Sequence, residues 1–242
     1  MAELIAVVGE SGSGKTTSLR NLDPKEVFII STTGKRPGVR GAINKYPSFT
    51  VKEGVIQGNF YVTSNIDQID KMLQVIDKKM PQIKVLVIDD YQYLQGFEAM
   101  NRVDEKGYGK FTDIAKHAYQ VMSYGMKMRD DLTFVVMTHS ENTGDVLNPR
   151  FKMKTIGKML DSVITLEGLF TYVFFTSVTK DENNKVHYNF ITNSDGTTTA
   201  KNPIGLFDEM LIDNDLDYVI KKIHEFNGSS NELNNESNEG NI

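Results

Sequence analysis

The chain has no cysteine and no tryptophan. Without cysteine, disulfides and thiolate metal sites are excluded. The four histidines are scattered and give no zinc spacing. No apolar run approaches the roughly 18 residues of a membrane span, and the N-terminus lacks a charged-then-apolar signal pattern. The expectation is a cytoplasmic protein without membrane contact. A net charge of −5 argues against a generic polyanion binder, so any nucleic-acid contact must come from a local basic patch. The chain that remains has 242 residues, 39% of them apolar, which allows one large α/β domain or two small ones.

Against these absences stands one strong motif. Gly9-Glu10-Ser11-Gly12-Ser13-Gly14-Lys15-Thr16 fits G-x-x-x-x-G-K-[ST], the phosphate-binding P-loop. It follows the strand-like run Leu4–Val8 and precedes Lys15–Leu22, which has no helix breaker. Gly12 and Gly14 let the backbone curl so that successive N–H groups converge on an anion. A helix N-terminus, with Thr17 in its first turn, adds positive potential. Lys15 offers a point charge to the outer phosphates, and the Thr16 hydroxyl suits Mg²⁺.

Downstream, Asp23-Pro24 breaks the chain and Glu26–Ser31 reads as a buried strand. Residues 32 to 58 are loop-rich, with seven glycines and prolines from Gly34 to Gly58. From Val27 to Lys52 there are five basic residues and no acid, which fits a solvated loop or a polyanion-contacting insertion equally. Ile66, Ile69, Met72, Leu73, Ile76 and Met80 recur at helical spacing, capped by Ser64 or Asn65 and ended by Pro81. Lys84–Asp90 is a continuous apolar strand ending in two carboxylates. In a parallel sheet that end opens on the ligand crevice, which places Asp89 to hold Mg²⁺.

Two helical segments, about Tyr91–Asp104 and from Thr112 onward, lead to the strand Leu132–Met137. That strand ends in Thr138-His139-Ser140, where His139 is positioned to sense a terminal phosphate. Glu141–Thr155 reads as a mobile loop. Arg150, Lys152, Lys154 and Lys158 follow without an acid between them and fit a solvated loop, a DNA contact or a cation for a neighbour's nucleotide. Lys158–Asp161 reads as a short helix. The strands Leu169–Thr179 and Val186–Thr192, around the turn Asp181–Asn184, predict an antiparallel hairpin on one sheet edge. Asp213–Phe226 reads as a terminal helix, and from Asn227 the polar composition predicts disorder. The expected organisation is one domain over 1–226 and a polar tail over 227–242.

The segments GESGSGKTTSLRNLDP, VLVIDDYQYL, VVMTHSE, KTIGKMLD, EGLFTYV and NSDGTTTAKNPIGLF together resemble phage-encoded ATP-binding proteins of the RecA-like, AAA-domain type. Some of that family are associated with single-strand annealing and recombination. The resemblance runs from about Ala2 to Phe226. It implies a RecA-like P-loop NTPase core with the hairpin as an extension, ATP and Mg²⁺ as ligands, and self-association. It also implies single-stranded DNA binding, phage recombination or replication partners, and the host cytoplasm. Lys15 and Thr16 match the family's P-loop lysine and Mg²⁺ hydroxyl, Asp89 its metal aspartate, and His139 its polar sensor. One departure bears on mechanism. Relatives carry a catalytic glutamate just after the second core strand, where this chain reads Ser31-Thr32-Thr33. Asp90 is the nearest substitute, and it reaches the site only if the backbone turns there, because adjacent strand residues face opposite ways.

Three functions compete. A DNA-recombination ATPase would take its last cation from a neighbouring subunit. A nucleotide-operated interaction module would hold ATP with little turnover. A small-molecule phosphotransferase would need a lid arginine, and the sequence offers none that is clear.

Overall fold

A computed structural model describes residues 1–156 and 164–239, with the side chains of the last helix described to residue 228. An eight-stranded sheet forms the centre. It contains β1 (Glu3–Val8), β2 (Val27–Ser31), β5 (Phe60–Val62), β6 (Val85–Asp89), β7 (Thr133–Thr138), β10 (Tyr172–Lys180), β11 (Val186–Ile191) and β12 (Leu211–Asp213). The order across the sheet is β12-β11-β10-β1-β7-β6-β2-β5. The six strands from β10 to β5 pair in parallel, and β11 and β12 add antiparallel at the β10 edge. This is an α/β core, a mainly parallel sheet between helices that follows a P-loop motif, with the expected antiparallel extension. β7 lies between β1 and β6, so the Thr138-His139 end stands between the phosphate loop and Asp89.

The central strands read as unbroken apolar runs because both faces are covered. On β1, Leu4, Ala6 and Val8 face one core cluster while Ile5 and Val7 face the other. The first cluster is closed by α2 (Ile66–Lys79), α3 (Gln92–Asn101) and α4 (Gly109–Gly125), through residues such as Ile69, Leu73, Leu94 and Val121. The second is closed by Leu19 and Leu22 below the phosphate loop and by Leu216, Val219 and Ile223 of α5 (Leu216–Glu239). Asn65 caps α2, its side chain accepting from Gln68 N at 3.0 Å. Among the described residues no helix is long and apolar enough to cross a membrane.

Several expectations change. The helix after the phosphate loop is a six-residue 3-10 helix, Thr16–Asn21, stopped before Asp23-Pro24. Its short length leaves little macrodipole, so local N–H groups carry the anion affinity. The loop-rich stretch 32–58 also carries short elements. It holds α1 (Ala42–Lys45) and a small hairpin of β3 (Thr50–Lys52) with β4 (Val55–Gln57). Glu141–Thr155 is likewise a hairpin, β8 (Ser140–Asn142) with β9 (Phe151–Met153). Its tip is held by Asn142 Oδ1, which accepts from Gly144 N and Arg150 N, and by Asp145 Oδ1, which accepts from Leu147 N and Asn148 N. α5 runs to Glu239, past the start of the polar stretch at Asn227. The short helix expected at Lys158–Asp161 lies outside the described residues.

Candidate nucleotide site

β1 feeds directly into the Gly9–Thr16 loop, whose first residue is pinned to the end of β7 by Gly9 N–H donating to Thr138 O at 3.1 Å. Residue 9 must be glycine, since a Cβ there would sit 1.7 Å from Thr176 Oγ1 of β10. Gly12 and Gly14 take φ of 79° and 97°, the left-handed region expected of a phosphate cradle. Ser13 Oγ donates to Glu10 O at 2.7 Å and lies in hydrogen-bond contact with Thr176 Oγ1 at 2.6 Å. Gly9, Glu10 and Ser13 therefore shape the loop, while Ser11, Gly12, Gly14, Lys15, Thr16 and Thr17 line a cleft of about 380 Å³. Lys15 Nζ folds back onto the loop, donating to Gly9 O at 2.9 Å and Glu10 O at 2.8 Å. Burial pushes its pKa down, and the negative charges of Asp90 and Asp89 oppose that.

Asp89 and Asp90 both line this cleft. The turn on which Asp90 depends is present. Asp90 has φ of 61°, a left-handed conformation that costs about 1 kcal/mol or more in a residue other than glycine. That rotation breaks the strand alternation. Thr32 holds it by donating its hydroxyl to Asp90 O at 2.8 Å, and Thr33 Oγ1 donates to Asp90 Oδ2 at 3.1 Å. Thr32 and Thr33, found where a glutamate was expected, thus brace Asp90, Thr32 at its backbone and Thr33 at its carboxylate.

His139 also lines the cleft, with Nε2 3.6 Å from Asp90 Oδ1. The His139 backbone N–H donates to Gln92 Oε1 at 3.1 Å, and the same oxygen accepts from Thr138 Oγ1 at 3.1 Å. Burial and the Lys15 charge lower its pKa, favouring the neutral ring. Arg150, Lys152 and Lys154 do not line the cleft. Lys152 Nζ pairs with Glu141 Oε1 at 3.2 Å across the β8–β9 hairpin. Lys154 N–H donates to His139 O at 2.8 Å, tying the hairpin's base to the sensor position. Lys158 lies outside the described residues.

Four further lining residues escape sequence reasoning: Lys35, Arg36, Gly38 and Tyr188. The first three belong to the acid-free basic stretch, a signal that announced charge without saying where it points. Tyr188 arrives from β11, and its ring packs on Gly14, where an added Cβ would meet Cδ1 at 2.7 Å. A separate cavity of about 310 Å³ beside His117 and Glu98 has none of these phosphate-directed groups.

The residues present fit Mg²⁺. Asp89 is buried, and its Oδ1 has no hydrogen-bond partner, an orphaned acceptor that a cation would satisfy. Burial, then the neighbouring Asp90 charge, raises its pKa to about 7, with Lys15 opposing. Thr16 Oγ1 adds a second hard oxygen. Among the described residues no cluster of three acidic or histidine ligands exists, and Mg²⁺ commonly takes one or two protein oxygens and completes its shell with phosphates and water.

No protein-family model matches the chain, and no curated protein sequence matches it. Among solved structures it is similar to the genome packaging NTPase B204 from Sulfolobus turreted icosahedral virus 2, solved in complex with ATPγS. The two share 14% identity with a TM-score of 0.39, over 78% of this chain and 91% of that one. A likeness of that size decides neither substrate nor activity.

Proposed function

We propose that this chain binds ATP with Mg²⁺ and hydrolyses it slowly, as a RecA-like ATPase of phage DNA recombination or replication. One observation carries the reading: Lys15, Thr16, Asp89, Asp90 and His139, drawn from three neighbouring strand ends, converge on one cleft. The loop N–H groups take the phosphates, and Lys15 exchanges its two carbonyl acceptors for phosphate oxygens. Thr16 and Asp89 hold Mg²⁺, which supplies charge neutralisation at the phosphoryl group being transferred. Asp90 is the carboxylate best placed to take a proton from the attacking water, and His139 holds its other side. Asp90 stands in for the absent glutamate from a different strand end, which supports slow turnover.

A second reading is favoured by the bond from Lys154 N to His139 O. A shift of His139 on phosphate binding would move the base of the β8–β9 hairpin, which carries Arg150, Lys152 and Lys154. The nucleotide state would then be displayed to single-stranded DNA, a replication protein or a second copy. One experiment divides these readings: ATP hydrolysis with and without single-stranded DNA, on protein of measured oligomeric mass, beside the Lys15→Ala variant. Stimulation by DNA, with binding that weakens steeply with salt, supports the DNA ATPase. No DNA binding even at low salt removes the DNA role. ATP binding without turnover leaves the interaction module.

A further inference from the structure

The turn after β2 crosses the cleft. Ser31 Oγ accepts from Gly34 N–H at 3.1 Å and donates to Lys35 O at 3.1 Å. Gly34 takes φ of 76°, which turns the chain back toward the phosphate loop. Farther on, Gly38 N–H reaches Thr16 Oγ1 at 3.4 Å. Residues 34–38 therefore lie over the end of the loop, with Lys35 and Arg36 both lining the cleft.

The two cations are not equivalent. Arg36 is committed elsewhere: its guanidinium donates to Tyr46 O and to Ser48 Oγ and lies 3.9 Å over the Phe60 ring. The Lys35 ammonium makes no hydrogen bond or ion pair among the described residues. Its charge still reaches Lys15, Asp89 and His139, lowering the proton affinity of each. These three flank the place where the outer phosphates would lie. Lys15 already has two acceptors, and Lys35 has none. An unpaired ammonium held by a fixed turn beside a phosphate cradle is arranged for an incoming anion.

We propose that Lys35 contacts the terminal phosphate of the bound nucleotide, as a second phosphate-binding cation supplied by the same chain. This rests on reading Gly9–Thr16 as a phosphate cradle. The turn where relatives would place a carboxylate for water then supplies positive charge instead. Such a group favours the triphosphate over the diphosphate, and it does so without a neighbouring subunit.

The test is calorimetric titration of Mg·ATP and Mg·ADP into wild type, Lys35→Ala, Lys35→Met and Lys35→Arg. Lys35→Ala is expected to weaken Mg·ATP about tenfold and Mg·ADP less than about threefold, the size of one charge-assisted contact. Lys35→Met, which keeps the stem, should match Lys35→Ala, and Lys35→Arg should retain most of the preference. Unchanged apo melting temperatures exclude a folding defect, and Lys35→Met carries the test if Lys35→Ala misfolds. Equal losses for the two nucleotides, or no loss, overturn the role of Lys35. If Lys15→Ala abolishes binding while the Lys35 variants behave as wild type, only the Lys35 role fails. If wild type binds neither nucleotide, the phosphate-site reading beneath it fails as well.

Discussion

Two basic, acid-free stretches look alike in the sequence and end in different places. Residues 27–52 send Lys35 and Arg36 to the wall of the nucleotide cleft. Residues 150–158 begin on a hairpin beyond that cleft, with Lys152 paired to Glu141 and Arg150 exposed. Charge composition does not separate them; the backbone does. Gly34 and the Ser31 hydroxyl turn the first stretch inward. The β8–β9 ladder carries the second outward, ending in a tip where Val146 and Leu147 are almost fully exposed. The first is built to meet an anion inside the site. The second, as far as its described residues go, stays off the wall of that site.

That contrast can be broken in graded ways. Lys15→Ala sets the scale: loss of Mg·ATP affinity by about a hundredfold or more, read by calorimetry, because it removes the buried charge central to the cradle. Gly9→Ala should come close to it. Its methyl group would collide with Thr176 and displace the loop, lowering the melting temperature and weakening the affinity by about a factor of ten or more.

A pH titration comes next. The pKa of Asp89 is raised to about 7 in the fold from 3.8. The folded apo protein therefore holds that proton more tightly than the unfolded chain. The associated stability is present at low pH and is lost as pH rises from about 4 through about 7. Metal binding needs the carboxylate, so Mg·ATP affinity should climb between about pH 6 and 8, by up to tenfold per unit below 7. Asp89→Asn should flatten both profiles, and a wild-type affinity independent of pH would contradict the assignment. The smallest effect belongs to Lys152→Ala. On monomeric protein it should change Mg·ATP affinity by less than about twofold and stability by about 1 kcal/mol, as for a half-buried surface ion pair. A loss as large as that of Lys35→Ala would erase the distinction between the two stretches.

The sequence made the long-patterned parts legible. The apolar runs of β1, β6 and β7 and the periodicity of α2 and α4 are strong local signals, and they fix the strand ends that carry Lys15, Asp89 and His139. The three-residue strands β3, β4, β5 and β12 carry too little pattern to stand out, and tertiary partners hold them in place. The left-handed turn at Asp90 is also invisible locally. It depends on Thr32, which is distant in sequence and adjacent in space. Tyr188 illustrates the same limit from farther off: period-two alternation placed it on a strand, and only sheet order brings that strand to Gly14.

The pairing of β1 has a consequence for synthesis. This strand is made before every other strand of the sheet, yet its neighbours are β7, pairing Glu3 with Thr133, and β10, pairing Ile5 with Tyr172. At about 5–20 residues per second, it waits roughly 10–35 s for its second partner to be translated. Until then an apolar strand and the loop after it lack one flank of the sheet. Ribosome-bound chains stopped before Tyr172 should bind no nucleotide, and those long enough to release β11 should.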